Sequence, residues 1–170
     1  MIKIMRGIYE EDRVFITSTF AISFILFLIL SYFLSSIINI NNFIELLKNF
    51  ITNIITFISI AFGFYLTSLS ILFSSKYINM LNITDKRKSD QKQIHTLREY
   101  FKLAIYCALA TIVISFITLI CIFSNEKIIM TIAFAFLVAI FIENFIFIYL
   151  LLKIFMNALV IQARKDNNTK

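Results

Sequence analysis

The sequence predicts an all-α integral membrane protein, a single bundle of four transmembrane helices with both termini in the cytoplasm. Three observations carry that prediction. Of the 170 residues, 60% are hydrophobic and 15% charged, whereas a soluble domain runs to about 45–50% apolar and about 25% charged. One globular core cannot absorb that excess, so lipid must solvate most of the chain. Two glycines, no proline and no tryptophan leave neither the turns of a β-barrel nor the broken helices of many transporters. Four apolar runs also reach the roughly 20 residues needed to cross a bilayer core. Soluble enzymes, nucleic-acid modules and secreted disulfide scaffolds are excluded together.

The first run covers about residues 14–40. Basic residues precede it, as in a signal peptide, but it is too long and no small-residue cleavage site follows, so it is read as a retained span. The second covers 52–73, after a polar-spiced piece, NNFIELLKNF, at 41–50. The third covers 101–123 and the fourth 128–152, joined by SNEK at 124–127, short enough for a tight antiparallel hairpin. The stretch from 74 to 100 is a basic connector in which Ser89 is placed to cap a helix running into span three. Span two is expected to continue past the membrane through Leu81. Span four is expected to do so through KIFMNALVIQARK at 153–165, which keeps helical apolar spacing.

Basic residues orient the bundle. Lys3, Arg6 and Arg13 precede span one, and Lys76, Lys86, Arg87, Lys88, Lys92, Arg98 and Lys102 lie between spans two and three. Lys153, Arg164, Lys165 and Lys170 close the chain, leaving only Lys48 and Lys127 for the other two connectors. Fourteen against two is a strong positive-inside bias, so the termini and middle connector face the cytoplasm. The net charge of +6 is therefore an orientation signal, and no specific nucleic-acid binding is expected. The surface around Lys86, Arg87, Lys88, Lys92 and Arg98, with Arg164 and Lys165, is expected to contact a cytoplasmic protein partner or the anionic headgroups of the bilayer.

Within the spans, Thr52, Thr56, Ser59, Gly63, Thr67, Ser70 and Ser74 recur at steps of 4, 3, 4, 4, 3 and 4. That is one helical face, about 33 Å long. Span three repeats the pattern in Ala104, Cys107, Thr111, Ser115, Thr118 and Cys121, and span four in Thr131, Ala135, Ala139 and Glu143. Such seams allow helices to pack closely. The alternative is that span two's seam lines a water-filled path, which requires several copies around an axis. A homo-oligomer is expected on either reading.

Glu143 is the one acidic residue well inside a span. Facing lipid near mid-bilayer it would cost at least about 2.5–3.5 kcal/mol, so it is expected to face protein, as a neutral acid. A hydrogen bond to a hydroxyl on span two or three would then hold a closed arrangement, which ionisation or partner engagement loosens. A purely structural hydrogen bond is the other reading. Asn144, on an adjacent face, can bond a neighbouring helix.

Candidates for chemistry are otherwise thin. His95 stands alone in a solvated connector. Cys107 and Cys121 are about 21 Å apart along one helix, too far to bridge, and read as small packing residues. No HExxH, GxSxG or Gly-rich phosphate loop occurs. No cofactor, no metal and no enzymatic activity are expected. The richness in Ile, Phe, Asn and Lys points to AT-rich codons, hence a bacterial or phage source.

The segments AFGFYLTSLSILFSSKYINMLN (61–82) and LREYFKLAIYCALATIVISF (98–117) resemble a pattern of small bacterial four-span proteins. In size and topology the chain is similar to the membrane subunit of the Kiwa anti-phage defence system, over spans two to four. The resemblance implies an oligomeric component of the bacterial inner membrane that works with a cytoplasmic partner against phage. GFYLT (63–67) also resembles bestrophin channels locally, but the chain is too short for that fold. Two other classes compete: a stand-alone pore such as a holin or small ion channel, and a bacteriocin immunity protein. The neighbouring gene discriminates among the three.

Overall fold

The computed structural model describes residues 8–74, 92–124 and 126–168, without the side chains of 71–74, 93, 155 and 157–168. Four α-helices account for nearly all of it: α1 (Glu10–Ile37), α2 (Ile40–Ser74), α3 (Gln93–Phe123) and α4 (Lys127–Asn168). All four are long and apolar enough to cross a membrane. Their outward faces carry Ile22, Ile29, Phe33, Phe116 and Ile120, all more than half exposed. An apolar surface of that extent is not tolerated by a water-soluble monomer. The four helices are candidate spans of a multi-pass membrane protein.

The α1–α2 turn at 38–39, the end of α3 at Phe123 and the start of α4 at Lys127 lie at one end of the bundle, called here the turn end. There Lys127 donates from Nζ to the Ser35 carbonyl at 3.2 Å, meeting one of the carbonyls that a helix C-terminus leaves unpaired. Farther along the same pair of helices, Ser31 Oγ donates to the Thr131 carbonyl at 3.3 Å. At the opposite end the Tyr100 hydroxyl donates to the Asp12 carboxylate and accepts from the Tyr9 backbone N–H at 3.3 Å. Glu10, Glu11 and Asp12 in the first turn of α1 complement the positive end of the helix dipole.

The core is organised around α4. Half of its most apolar stretch is buried, against 11% for α1. α4 packs along both α1 and α3, while α2 packs chiefly on α3. The sequence explains this division. Ala104, Ala108, Thr111 and Ser115 of α3 are small and buried, as are Ala135 and Ala139 on the face of α4 whose ends meet Ser31 and Thr19 of α1, and small residues let helices approach closely. α2 reaches α4 mainly through phenylalanines. Phe57 stacks on Phe145 at 4.6 Å and meets Phe141 edge-on at 5.3 Å, and Phe50 meets Phe134 at 5.2 Å. Such long side chains span a gap that the backbones do not close.

Two boundaries differ from the hydropathy reading. The polar piece at 41–50 is part of α2, which is continuous from Ile40. Phe43, Leu47, Ile51, Ile54, Ile58, Ala61 and Tyr65 form its buried stripe, and Asn42, Glu45, Lys48 and Asn49 fall off that stripe. These polar residues lower the local hydropathy of the early turns of α2 without breaking the amphipathic period. α3 begins at Gln93, with Lys92 in the cap position and no side-chain cap bond. Ser89, expected as the cap, and the continuation of span two through Leu81 lie outside the described residues. α4 runs 42 residues to Asn168, about 63 Å and twice a bilayer core of about 30 Å.

Candidate functional site

A layer of buried polar groups crosses the interior and engages all four helices. Asn144 of α4 is fully buried. Its Nδ2 donates to Thr111 Oγ1 of α3 at 2.8 Å and to the Ile140 carbonyl of its own helix at 3.0 Å. Thr111 in turn donates to the Cys107 carbonyl at 2.8 Å. The Cys107 thiol points to the Ile140 carbonyl at 3.8 Å. From α2 the Tyr65 hydroxyl donates to the main-chain oxygen of Asn144 at 3.4 Å. α1 completes the layer with Thr19, whose hydroxyl lies beside the Glu143 carboxyl.

Glu143 is 3% exposed, with both carboxyl oxygens out of contact with any hydrogen-bonding partner; the Asn144 side-chain oxygen is equally buried and unpartnered. Among the described residues no basic side chain forms an ion pair with Glu143. The Thr19 hydroxyl turns to the Phe15 and Ile16 carbonyls of its own helix, at 2.6 and 3.0 Å. The hydrogen bond expected from Glu143 to a hydroxyl of span two or three is not formed among the described residues. The hydroxyl that approaches Glu143 belongs to span one and not to span two or three, because the antiparallel packing of α1 on α4 places Thr19 at its level.

The hydroxyl seams separate into two environments. Thr111, Ser115, Thr118 and Thr131 are buried between helices. Thr52, Thr56, Ser59, Gly63, Thr67 and Ser70 are instead exposed on the outside of the bundle, opposite the buried stripe of α2. Each hydroxyl on this face turns back to its own helix, as Ser59 does to Ile55 at 2.8 Å and Thr67 to Gly63 at 2.7 Å. Among the described residues no atom beyond its own helix backbone and chain neighbours lies within 4 Å of where a Cβ would sit on Gly63. Packing among the described residues therefore does not explain this seam. The Ser74 side chain lies outside the described residues.

Of the basic positions, Lys92 and Arg98 are exposed near the start of α3. Lys86, Arg87 and Lys88 lie outside the described residues, as do the side chains of Arg164 and Lys165 in the last turns of α4. Among the described residues no group of three metal-ligating side chains is brought together. Sequence reasoning missed Thr19 and Tyr65. Tyr65 had a signal, because a phenol on an otherwise apolar stripe needs a hydrogen-bond partner when buried. No known family model, curated protein or solved structure matches this chain.

Proposed function

We propose that the protein is an oligomeric subunit of a bacterial inner-membrane anti-phage defence system, sensing or perturbing the membrane together with a cytoplasmic partner. One observation carries the oligomeric part. The seam from Thr52 to Ser70 runs about 27 Å along the outside of the bundle and has no packing role among the described residues. Small residues give lipid chains little contact but let another helix approach closely. The defence assignment rests on the resemblance of residues 61–82 and 98–117 to the Kiwa membrane subunit. The cytoplasmic placement of both termini rests on the basic-residue bias.

In this reading the polar layer is the part that responds. Glu143, buried beside Thr19 where α1 packs on α4, is its titratable member, and the basic collar with the overrunning end of α4 receives the partner. A stand-alone pore is the second reading, favoured by the hydroxyl character of the exposed seam, which would then line an axis between copies.

The test is the mass of the full chain in mild detergent, with Ser59→Leu and Gly63→Leu variants, beside phage plating with and without the neighbouring gene. An oligomeric wild type, split by either variant with loss of protection, supports the proposal. A monomeric wild type that protects normally defeats it. Ion flux and lysis in the absence of any partner gene would select the pore.

A further inference from the structure

We infer that the groove between α1 and α2 at the turn end is a binding site for an amine-bearing zwitterionic phospholipid, held by Glu45 and Lys48. The two helices touch little beyond their connecting turn and leave an open groove of about 590 Å³, within the size range of ligand pockets. Its α1 wall is apolar and its α2 wall mixed. On α1, Leu34, Leu30 and Phe27 descend from the turn end; on α2, Glu45, Asn49 and Asn53 descend among apolar residues, and Phe134 of α4 adds to the apolar lining. An occupant must be mainly apolar, with polar groups toward α2.

The charges narrow the choice. Glu45 and Lys48 are exposed, and neither forms an ion pair among the described residues. Lys48 does not line the groove, but it follows Glu45 by three residues, close enough to touch the same molecule. It lies about 4.5 Å farther from the turn end. A carboxylate outermost and an ammonium one step deeper complement a headgroup whose amine is outermost and whose phosphate lies beneath. The carboxamides of Asn49 and Asn53 then sit at the depth of the ester linkages, and the acyl chain follows Leu30 and Phe27 inward.

A second copy of the chain fits the groove poorly. Two-fold pairing of this face would bring Glu45 against Glu45 at the same depth, and like charges repel. The site does not depend on the oligomer proposed above, although its α2 wall runs on into the hydroxyl seam.

The experiment is native mass spectrometry of the full chain in neutral detergent, titrated with dioleoyl phosphatidylethanolamine or dioleoyl phosphatidylglycerol. Wild type should retain the ethanolamine lipid about fivefold better, the upper range for a partly exposed ion pair. Glu45→Gln should abolish that preference, and Lys48→Gln should weaken retention of both lipids. Ser59→Leu, which tests the oligomer, should leave the preference intact. Equal retention of the two lipids by wild type, or an undiminished preference in Glu45→Gln, would overturn the inference. So would loss of the preference in Ser59→Leu alone, which would move the site to the subunit contact.

Discussion

Replacing Asn144 by Leu deletes two donated hydrogen bonds, to Thr111 Oγ1 at 2.8 Å and to the Ile140 carbonyl at 3.0 Å. It also deletes the side-chain oxygen that is buried without a partner. The two effects oppose each other. Interhelical bonds in membranes average about 0.6 kcal/mol and reach about 1.7, whereas an unsatisfied buried acceptor costs about 1–3 kcal/mol. Asn144→Leu alone should therefore change stability by no more than about 1 kcal/mol. The interaction appears in a double-mutant cycle with Thr111→Val, which removes the acceptor while keeping the volume. The expected coupling is about 0.6–1.7 kcal/mol, favourable. Unfolding by SDS in mixed micelles, followed by far-UV circular dichroism, measures all four corners. Coupling below about 0.3 kcal/mol, within the additivity of independent sites, would mean that Asn144 and Thr111 do not bond α4 to α3, and the polar layer would lose its central link.

Tyr100→Phe removes the tie from α3 to Asp12 and to the Tyr9 N–H; the loss should be about 1–2 kcal/mol, at the low end for a charged acceptor because the site is partly exposed. Amide exchange should quicken in the first turns of α1 and not in α4. Glu143→Gln keeps a donor for Thr19 but cannot ionise, whereas Glu143→Leu removes the polar contact. If ionisation triggers the protein, Gln abolishes phage protection at normal expression and oligomer size; silence of both variants would remove Glu143 from the mechanism. Reporter fusions at residues 45 and 126 should read as non-cytoplasmic, and a cytoplasmic reading at both would reverse the orientation.

How far the sequence could be read depended on what each feature requires. A membrane span needs only length and apolarity, so α1, α3 and the first half of α4 were legible from hydropathy. The early turns of α2 were not, because Asn42, Glu45 and Asn49 depress an average while sparing the period set by Phe43, Leu47 and Ile51. The inward turn of Glu143 followed from the cost of charge in lipid, but its neighbour did not. Thr19 meets Glu143 through the antiparallel register of α1 on α4, fixed by contacts such as Ser31 with Thr131 that no single helix pattern contains. The two faces of α2 posed the same difficulty. Both repeat with helical spacing, and only the packing of Ile54, Ile58 and Tyr65 inside the bundle leaves Ser59 and Gly63 on the outside.

The central claim, that this outer face of α2 joins one copy to another, is tested most directly by disulfide scanning in native membranes. Cys107 and Cys121 are first replaced by Ala, and single cysteines are placed at successive positions from Thr52 to Ser70 before mild oxidation. The account predicts that covalent dimers peak at Thr52→Cys, Thr56→Cys, Ser59→Cys, Gly63→Cys and Thr67→Cys, and fall at Ile54→Cys and Ile58→Cys on the buried stripe. Ile22→Cys on the outside of α1 should give little dimer at equal expression. Yields without helical period along α2, or no greater there than at Ile22→Cys, would contradict it.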